Sequence, residues 1–206
     1  MTMANTLPTR DRIVETAFRL FLTQGYENTS TVQLVAATGL SKGAIYHHFR
    51  DKEEIRSAAV EHFLLRYVAP PASEEGEDAP LGLAATLHHV ADAYARVLET
   101  VAALTDDPLA YHRFVLAAAP GLRETLQDAV GQVRDALTDA ARTSQDDGTV
   151  TTALPPERVA ENAAALVEGA GLLWSVDPRG SARDRLRAAV DDHLLLLSGT
   201  STGTAS

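Results

Sequence analysis

The residues with the clearest chemical pattern lie between positions 41 and 52. Ser41 is a favoured N-cap residue, so the three residues after it fall in the first turn of a short helix. There Lys42 can reach guanine O6 or N7 or a phosphate, Ala44 can contact a thymine methyl group, and Gly43 allows a close approach. Groups that can donate to phosphate oxygens follow at Tyr46, His47 and Lys52. This pattern predicts contact with double-stranded DNA.

Two short helices joined by a tight turn must position these residues. Ser30 and Gln33 form a capping-box pattern that begins the first helix, and Gly39 ends it after about two turns. The second helix begins after Ser41 and runs to Phe49. This arrangement, at about residues 32–51, is typical of a helix-turn-helix, whose second helix enters the major groove.

Helical spacing of apolar residues continues through most of the chain, and no stretch alternates with period two for long enough to indicate a strand. The sequence therefore predicts an all-α fold of about nine helices. Two prolines at 70 and 71 and the acidic residues after them separate a DNA-binding domain at 9–69 from a second domain at 81–198. We expect disorder at residues 1–8 and 199–206.

The net charge of −10 is unevenly distributed. Residues 1–56 carry seven Lys and Arg against six Asp and Glu, whereas the remainder carries 11 against 22. Both lysines of the chain, Lys42 and Lys52, lie in the first part. Because an acidic body repels DNA, this asymmetry predicts that contact is confined to one small face.

Composition excludes several classes of protein. The chain has no cysteine, which excludes disulfides, thiolate nucleophiles and cysteine-based zinc sites. It also has no signal-peptide pattern and no apolar run long enough to span a bilayer. We therefore expect a cytoplasmic protein without a membrane partner.

The segment from about residue 9 to residue 60 resembles the TetR family, named for the tetracycline repressor. The matching residues are Ala17, Leu20-Phe21, Gly25-Tyr26, Thr31-Val32, Val35-Ala36, Gly39, Ser41 to Phe49 and Lys52 to Ile55. One departure is isoleucine at position 55, where leucine is commoner in the family. The resemblance implies a dimer with a three-helix DNA-binding head, a connecting fourth helix and a helical ligand-binding body that dimerises through its last two helices. It also implies DNA contacts from Thr31, Ser41, Lys42, Ala44, Tyr46, His47 and Lys52.

These observations predict a ligand-responsive transcriptional regulator, most simply a repressor that binds a palindromic operator as a homodimer. We expect the interface to use one apolar stripe on each of the last two helices, at about 157–175 and 181–198. The stripes are Val159, Ala163, Leu166 and Ala170, and Leu186, Val190, Leu194 and Leu197. The alternative is that one stripe packs only on the body of its own chain.

A small-molecule inducer, whose identity the sequence does not specify, is expected to bind inside the helical body. Aromatic residues with polar tips, set in a mostly apolar cavity, can bind and orient such a molecule. The candidate lining residues are Tyr67, His89, Tyr94, Tyr111, His112, Phe114, Glu168 and Trp174, with Trp174 the preferred single candidate. We expect Gly169 and Gly171 to permit a close helix crossing or to leave space for the cavity.

Two other classes of function compete with this interpretation, namely a helical enzyme and a protein-interaction module with an incidental helix-turn-helix. The sequence has no G-x-S-x-G, no H-E-x-x-H and no P-loop, so we expect no enzyme activity and no cofactor. His88 and Asp92 have a spacing that suits metal ligands, but two ligands make a poor site. We therefore predict no metal.

Overall fold

A computed structural model describes residues 8–68, 81–107 and 109–198, and it describes the side chains of the fourth helix only as far as Phe63. The described residues form nine α-helices and no strand, so the predicted all-α fold is confirmed. The helices are α1 (Thr9–Gln24), α2 (Thr31–Thr38), α3 (Lys42–His48), α4 (Lys52–Val68), α5 (Leu83–Ala102), α6 (Ala110–Ala118), α7 (Arg123–Asp146), α8 (Pro156–Val176) and α9 (Ala182–Leu197). None of these helices, as far as they are described, is long and apolar enough to cross a membrane.

Serine caps fix where the two short helices of the helix-turn-helix begin. Ser30 Oγ accepts a hydrogen bond from Gln33 N, and the Gln33 side chain accepts one from Ser30 N at 2.7 Å, which completes the predicted capping box. Gly39 ends α2 with a φ of 67°, a left-handed backbone that favours glycine. Ser41 Oγ then accepts from Ala44 N at 3.1 Å and begins α3. The local sequence therefore determines the geometry of this motif.

The chain divides into two compact units, and the first contains residues 8–66 and 100–126. Its fully buried large side chains are Ile13, Phe18, Leu34, Ile45 and Phe49. The Phe18 ring of α1 stacks on Phe63 of α4, with 3.8 Å between centroids, and contacts Phe114 of α6 at 5.3 Å. Helix α6 thus shares a core with α1 and α4. The predicted functional division into 9–69 and 81–198 stays a prediction.

The second unit contains residues 67–99 and 127–198, as far as they are described. Its largest fully buried side chains are Leu83, Leu87, Val97, Leu137 and Leu186. Helices α8 and α9 pack extensively on each other. Ser181 begins α9 by accepting a hydrogen bond from Asp184 N, and Pro156 occupies the first turn of α8.

Polar contacts hold α9 against α5 in this unit. The Asp92 carboxylate accepts hydrogen bonds from Arg187 Nε and Nη2, each at 2.6 Å, and this guanidinium lowers the pKa of Asp92 below its usual range. One turn earlier on α5, His88 Nε2 lies 3.1 Å from Asp191. His88 and Asp92, the pair considered as metal ligands, are therefore both engaged by side chains of α9.

Candidate functional site

Helix α3 buries one side in its own unit and leaves the other open. Ile45 and Phe49 are buried in the core of the first unit. The predicted DNA contacts on the open side are exposed at Ser41, Lys42, Gly43, Tyr46 and His47, while Ala44 is half-buried. The residues that the sequence selected for base and phosphate contact are thus accessible, as that chemistry requires.

Three of these predicted contacts form a polar cluster where α2 and α3 begin. Tyr46 OH lies 3.3 Å from Thr31 Oγ1 in the first turn of α2, and Lys42 Nζ lies 5.7 Å from the centre of the Tyr46 ring. Tyr46 keeps 41% of its surface exposed. Hydroxyl and ammonium groups beside helix N-termini are suited to phosphate oxygens, because the helix dipole adds to the attraction.

The fold of this chain does not require glycine at position 43. A Cβ atom added there would meet only Ser41 Oγ, at the ordinary contact distance of 3.9 Å. The protein itself can therefore accommodate a side chain at position 43, and glycine leaves room there for a close approach to α3. A recognition helix lying against base edges in the major groove is such a case.

Arg10 is a further candidate phosphate contact, which no motif in the sequence indicated. It is exposed in the first turn of α1, and its guanidinium lies 5.2 Å from the centre of the Phe49 ring, just after α3. The only signal in the sequence was the concentration of basic residues in the first part of the chain. The fold is what brings residue 10 beside the end of α3.

Lys52, which was also predicted to contact phosphate, has its ammonium group engaged within the chain. Its Nζ donates hydrogen bonds to the carbonyl oxygens of Tyr26 at 2.9 Å and Thr29 at 3.0 Å. The same Nζ lies 4.1 Å from the centre of the Tyr26 ring. Since Tyr26 and Thr29 belong to the connection between α1 and α2, Lys52 holds that connection to the start of α4. This geometry favours a positioning role for Lys52.

Substitutions of the two lysines of the chain, Lys42 and Lys52, therefore make a matched pair of variants. We expect Lys52→Met to lower the free energy of unfolding by about 1.5–3 kcal/mol, because two carbonyl oxygens lose a charged donor. Lys42→Met should leave stability unchanged and flatten the salt dependence of DNA binding by about 0.9 in log–log slope for one lost phosphate contact. Urea unfolding and salt titrations of binding measure the two effects. A flattened slope for Lys52→Met at unchanged stability would contradict this assignment.

Comparison with known proteins identifies the family. Residues 13–59 match the family model described as bacterial regulatory proteins, tetR family, and residues 115–198 match that of the BetI-type transcriptional repressor, C-terminal. The HTH-type transcriptional repressor Rv1474c of Mycobacterium tuberculosis is 34% identical over 134 residues, which cover 61% of this chain and 70% of that protein. The chain belongs to the TetR family of transcriptional regulators.

Solved structures of TetR-family regulators share the fold. PfmR from Thermus thermophilus is 26% identical, with a TM-score of 0.68 over 90% of this chain and 98% of that chain. A transcriptional regulator from Saccharomonospora viridis, solved in complex with choline, is 23% identical, with a TM-score of 0.68 over 90% and 95% of the two chains. Other curated regulators match less extensively, since the chain covers between 19% and 35% of their length.

The residues predicted to bind an inducer belong to different units of this TetR-family protein. Tyr111, His112 and Phe114 of α6 lie in the first unit, whereas His89, Tyr94, Glu168 and Trp174 lie in the second. The side chain of Tyr67 lies outside the described residues. Phe114 is buried against α1, and burial lowers the pKa of the half-buried His112. A common pocket for these residues stays a prediction.

Trp174, the preferred candidate for the inducer pocket, has its polar end engaged within the chain. It is buried near the end of α8, and its Nε1 donates a hydrogen bond to the carbonyl oxygen of Gly180 at 3.2 Å. This bond ties α8 to the turn that leads into α9. The sequence selected Trp174 as an aromatic side chain with a polar tip, and its place in an inducer pocket stays a prediction.

Tyr94 and Glu168 contact each other in the second unit. Tyr94 donates a hydrogen bond to the Glu168 carboxylate. The Tyr94 ring packs so closely against α8 that a Cβ atom at Gly171 would lie 2.3 Å from Tyr94 Cε1. Gly171 thus permits the close helix contact that the sequence predicted. A Cβ atom at Gly169 would meet nothing within 4 Å, so that glycine has open space beside it.

An unpredicted recess of about 380 Å³ lies in the first unit. It opens between the end of α1 and α6, and among the predicted ligand-binding residues it is lined by Phe114. Arg113 and Asp107 form an ion pair in its wall. Its volume is within the range of small-ligand sites. Nothing in the local sequence indicated it, because its walls come from segments about 85 residues apart.

The stripes predicted for the dimer interface are largely internal to this TetR-family chain. Five of the eight side chains are buried within the chain itself, namely Val159, Ala163, Leu186, Val190 and Leu197. The other three, Leu166, Ala170 and Leu194, are partly accessible. A side chain that is already buried within its own chain has no surface left for a partner. The use of these stripes as the dimer interface stays a prediction.

Other large aliphatic side chains of α8 and of α9 are exposed. Leu173 of α8 is 60% exposed and Leu196 of α9 is 81% exposed, and both are large aliphatic side chains. Leu172 and Val176 also lie on the exposed side of α8. Exposed aliphatic residues grouped on one element are typical of a surface that another protein covers.

Proposed function

We propose that this TetR-family protein is a transcriptional repressor in the cytoplasm, which binds a palindromic operator as a homodimer and is released by a small molecule. The observation that carries the proposal is the exposed first turn of α3. Lys42 and Tyr46 form a cluster with Thr31 there, beside a glycine that the chain itself does not require. This surface offers phosphate-binding groups at its edge and room for a close approach at its centre.

Repression is favoured over activation by the relatives. Rv1474c is a transcriptional repressor, and the family description that matches residues 115–198 is also that of a repressor. A small organic effector is supported by the Saccharomonospora viridis regulator, which was solved with choline. On this proposal the helices after α4 bind the effector, and a ligand that prefers one arrangement of the dimer shifts the equilibrium away from DNA binding.

A homodimer through α8 and α9 is supported by the exposed aliphatic side chains that each helix presents, with Leu173 the most exposed on α8 and Leu196 the most exposed on α9. Two copies of the chain can cover these side chains about a two-fold axis, as in most soluble homo-oligomers. The resulting dimer presents two recognition helices to an inverted repeat, whose half-sites are expected about one helical turn or somewhat more apart.

Replacing Gly43 by leucine tests the DNA-binding surface directly. We expect Gly43→Leu to reduce affinity for the DNA upstream of the protein's own gene by at least about tenfold, because a bulky side chain holds α3 away from the base edges. Stability should be unchanged or slightly raised, since leucine is a better helix former than glycine by up to about 1 kcal/mol. A mobility shift and a thermal melt measure the two quantities.

Gly131→Leu provides the matched control. Gly131 lies in α7, and a Cβ atom there would meet only the end of the flexible Arg134 side chain, at 4.0 Å. This variant makes the same chemical change far along the chain from α3 and is expected to bind DNA as the wild type does. Equal affinity of both variants for the upstream DNA would show that α3 is not the reading surface.

A further inference from the structure

The recess in the first unit is large enough to hold a small molecule. Its volume of about 380 Å³ lies at the lower end of the usual range for ligand sites. One wall is the end of α1 with the residues that follow it as far as Tyr26, and the other is formed by Thr105, Asp107 and one face of α6. All of these residues belong to the same compact unit, so the recess is a property of that unit alone.

Small residues keep the recess open between its two walls. Ala110 and Ala117 are seven residues apart on α6 and both line the recess, so the same face of the helix contributes two side chains of minimal size. Gly25 lines the wall at the end of α1, where its positive φ of 84° favours glycine. The space that larger side chains would occupy is therefore available to a ligand.

The recess has an aromatic lining that is held in place. Phe21 of α1 and Phe114 of α6 are almost completely buried, and their rings are nearly parallel with 6.2 Å between centroids. The Tyr26 ring meets Phe21 edge-to-face at 5.2 Å. It is flanked by the Lys52 ammonium and the Arg56 guanidinium, at 4.1 and 4.4 Å from its centre. Such a surface favours a planar, apolar group in the ligand.

The charge that this recess offers to a ligand is positive. Arg113 and Asp107 are the charged residues among its described lining. The Asp107 carboxylate is engaged at both oxygens, since Oδ1 accepts a hydrogen bond from Leu109 N at 3.1 Å and Oδ2 pairs with Arg113 Nη2. Arg113 has five N–H donors, is 63% exposed, and pairs with no described residue other than Asp107. Its remaining donors are therefore open to a ligand.

Asp107 also restricts the movement of Arg113. Asp107 N donates a hydrogen bond to Thr105 Oγ1 at 3.2 Å, and the bond from Leu109 N fixes the carboxylate at the start of α6. A guanidinium that is held by a fixed carboxylate has less freedom to lose when it binds a ligand. Its planar donor fork matches the two oxygens of a carboxylate better than a single neutral acceptor.

We propose that this recess is a ligand site for an aromatic carboxylate, whose ring packs on Phe21 and Phe114 and whose carboxylate binds Arg113. The site lies in the unit that contains the helix-turn-helix. It goes beyond the proposed effector-controlled repression, because neither its position nor its ligand follows from that function.

Pairs of ligands that differ in charge and share their shape test this site. The probes are benzoate, phenylacetate and cinnamate, each compared with its own carboxamide. By calorimetry we expect at least one carboxylate to bind the wild type at least about tenfold more tightly than its amide. Arg113→Gln should lose that advantage. Saturating carboxylate should also raise the melting temperature of the wild type and leave that of Arg113→Gln unchanged, because only a protein that binds the ligand is stabilised by it.

Ala117→Phe fills the recess without changing its charge. Ala117 is exposed and lines the recess, so the fold can accept a larger side chain there, and that side chain takes the place of the ligand. Leu116→Phe is the matched control, because Leu116 is the preceding residue, is 71% exposed and does not line the recess. We expect Ala117→Phe to abolish carboxylate binding and Leu116→Phe to bind as the wild type does.

The proposal is overturned if no carboxylate binds better than its amide. It is also overturned if either Arg113→Gln or Ala117→Phe, shown to be folded by its melt without ligand, binds the carboxylates as tightly as the wild type, since the ligand then occupies another part of the chain. Operator binding is measured on the same samples. Its absence in the wild type would contradict the proposed function and would leave the result for this recess unaffected.

Discussion

Leu173→Glu is expected to convert the dimer into monomers and to weaken operator binding by about a hundredfold or more. Leu173 is 60% exposed on α8, among the aliphatic side chains that we propose are covered by a second copy. A carboxylate placed there is repelled by its two-fold mate and cannot be desolvated cheaply. A monomer reaches only one half-site, and loss of two-site binding typically removes a factor of about 10²–10⁴ in affinity.

Val130→Glu is the control for this result. Val130 is 63% exposed on α7 and lies on a different helix from the proposed interface, so the same charge should leave the dimer intact. Sedimentation measures the oligomeric state, and a mobility shift under the same conditions measures operator affinity. A Leu173→Glu protein that remains dimeric with full affinity would show that the partner uses another surface.

The second large effect is expected on the stability of the folded chain. Gly171→Ala places a Cβ atom 2.3 Å from Tyr94 Cε1 and 2.9 Å from Tyr94 Cζ. Real carbon atoms do not approach so closely, and the tyrosine ring is buried, so the helices or the ring must shift. We expect a loss of about 2 kcal/mol in the free energy of unfolding, within the usual range for overpacking, despite the better helix propensity of alanine.

Gly131→Ala shows what the same substitution does without the contact. Its added methyl group meets only the end of Arg134, at 4.0 Å, so we expect a gain of about 0.5–1 kcal/mol from helix propensity alone. Urea unfolding of the two variants gives the comparison. Gly171→Ala should also displace Tyr94 from Glu168, because the ring that is pushed away carries the hydroxyl donor. A stability gain in both variants would mean that Tyr94 can move freely.

The helix-turn-helix was the most predictable part of this protein, because its determinants are close together in sequence. The capping box joins Ser30 to Gln33, three residues away, and the Ser41 cap acts on Ala44. Such hydrogen bonds depend on local backbone geometry, and the 3.6-residue period then assigns Ile45 and Phe49 to the core. The exposed positions of the residues that are predicted to contact DNA follow from the same period.

The roles of single side chains outside that motif were less predictable, because their partners are distant in sequence. Lys52 looked like a phosphate contact, yet its acceptors are carbonyl oxygens 26 and 23 residues earlier. Trp174 looked like a ligand contact, yet its N–H donates to Gly180 across the turn after α8. A sequence shows which groups a residue offers, whereas the fold decides which of them are already engaged.

The sequence by itself determined the helices, their caps, the helix-turn-helix segment and the TetR family, since all of these depend on spacing within a few turns or on a contiguous motif. Only the tertiary structure decided which apolar residues of α8 and of α9 remain exposed. The period of a helix groups side chains into stripes, but it does not say which stripe meets the chain's own core. Packing buried the predicted stripe with Val159 and Leu186 and left Leu173 and Leu196 exposed, because burial is a property of the neighbours that the fold brings together.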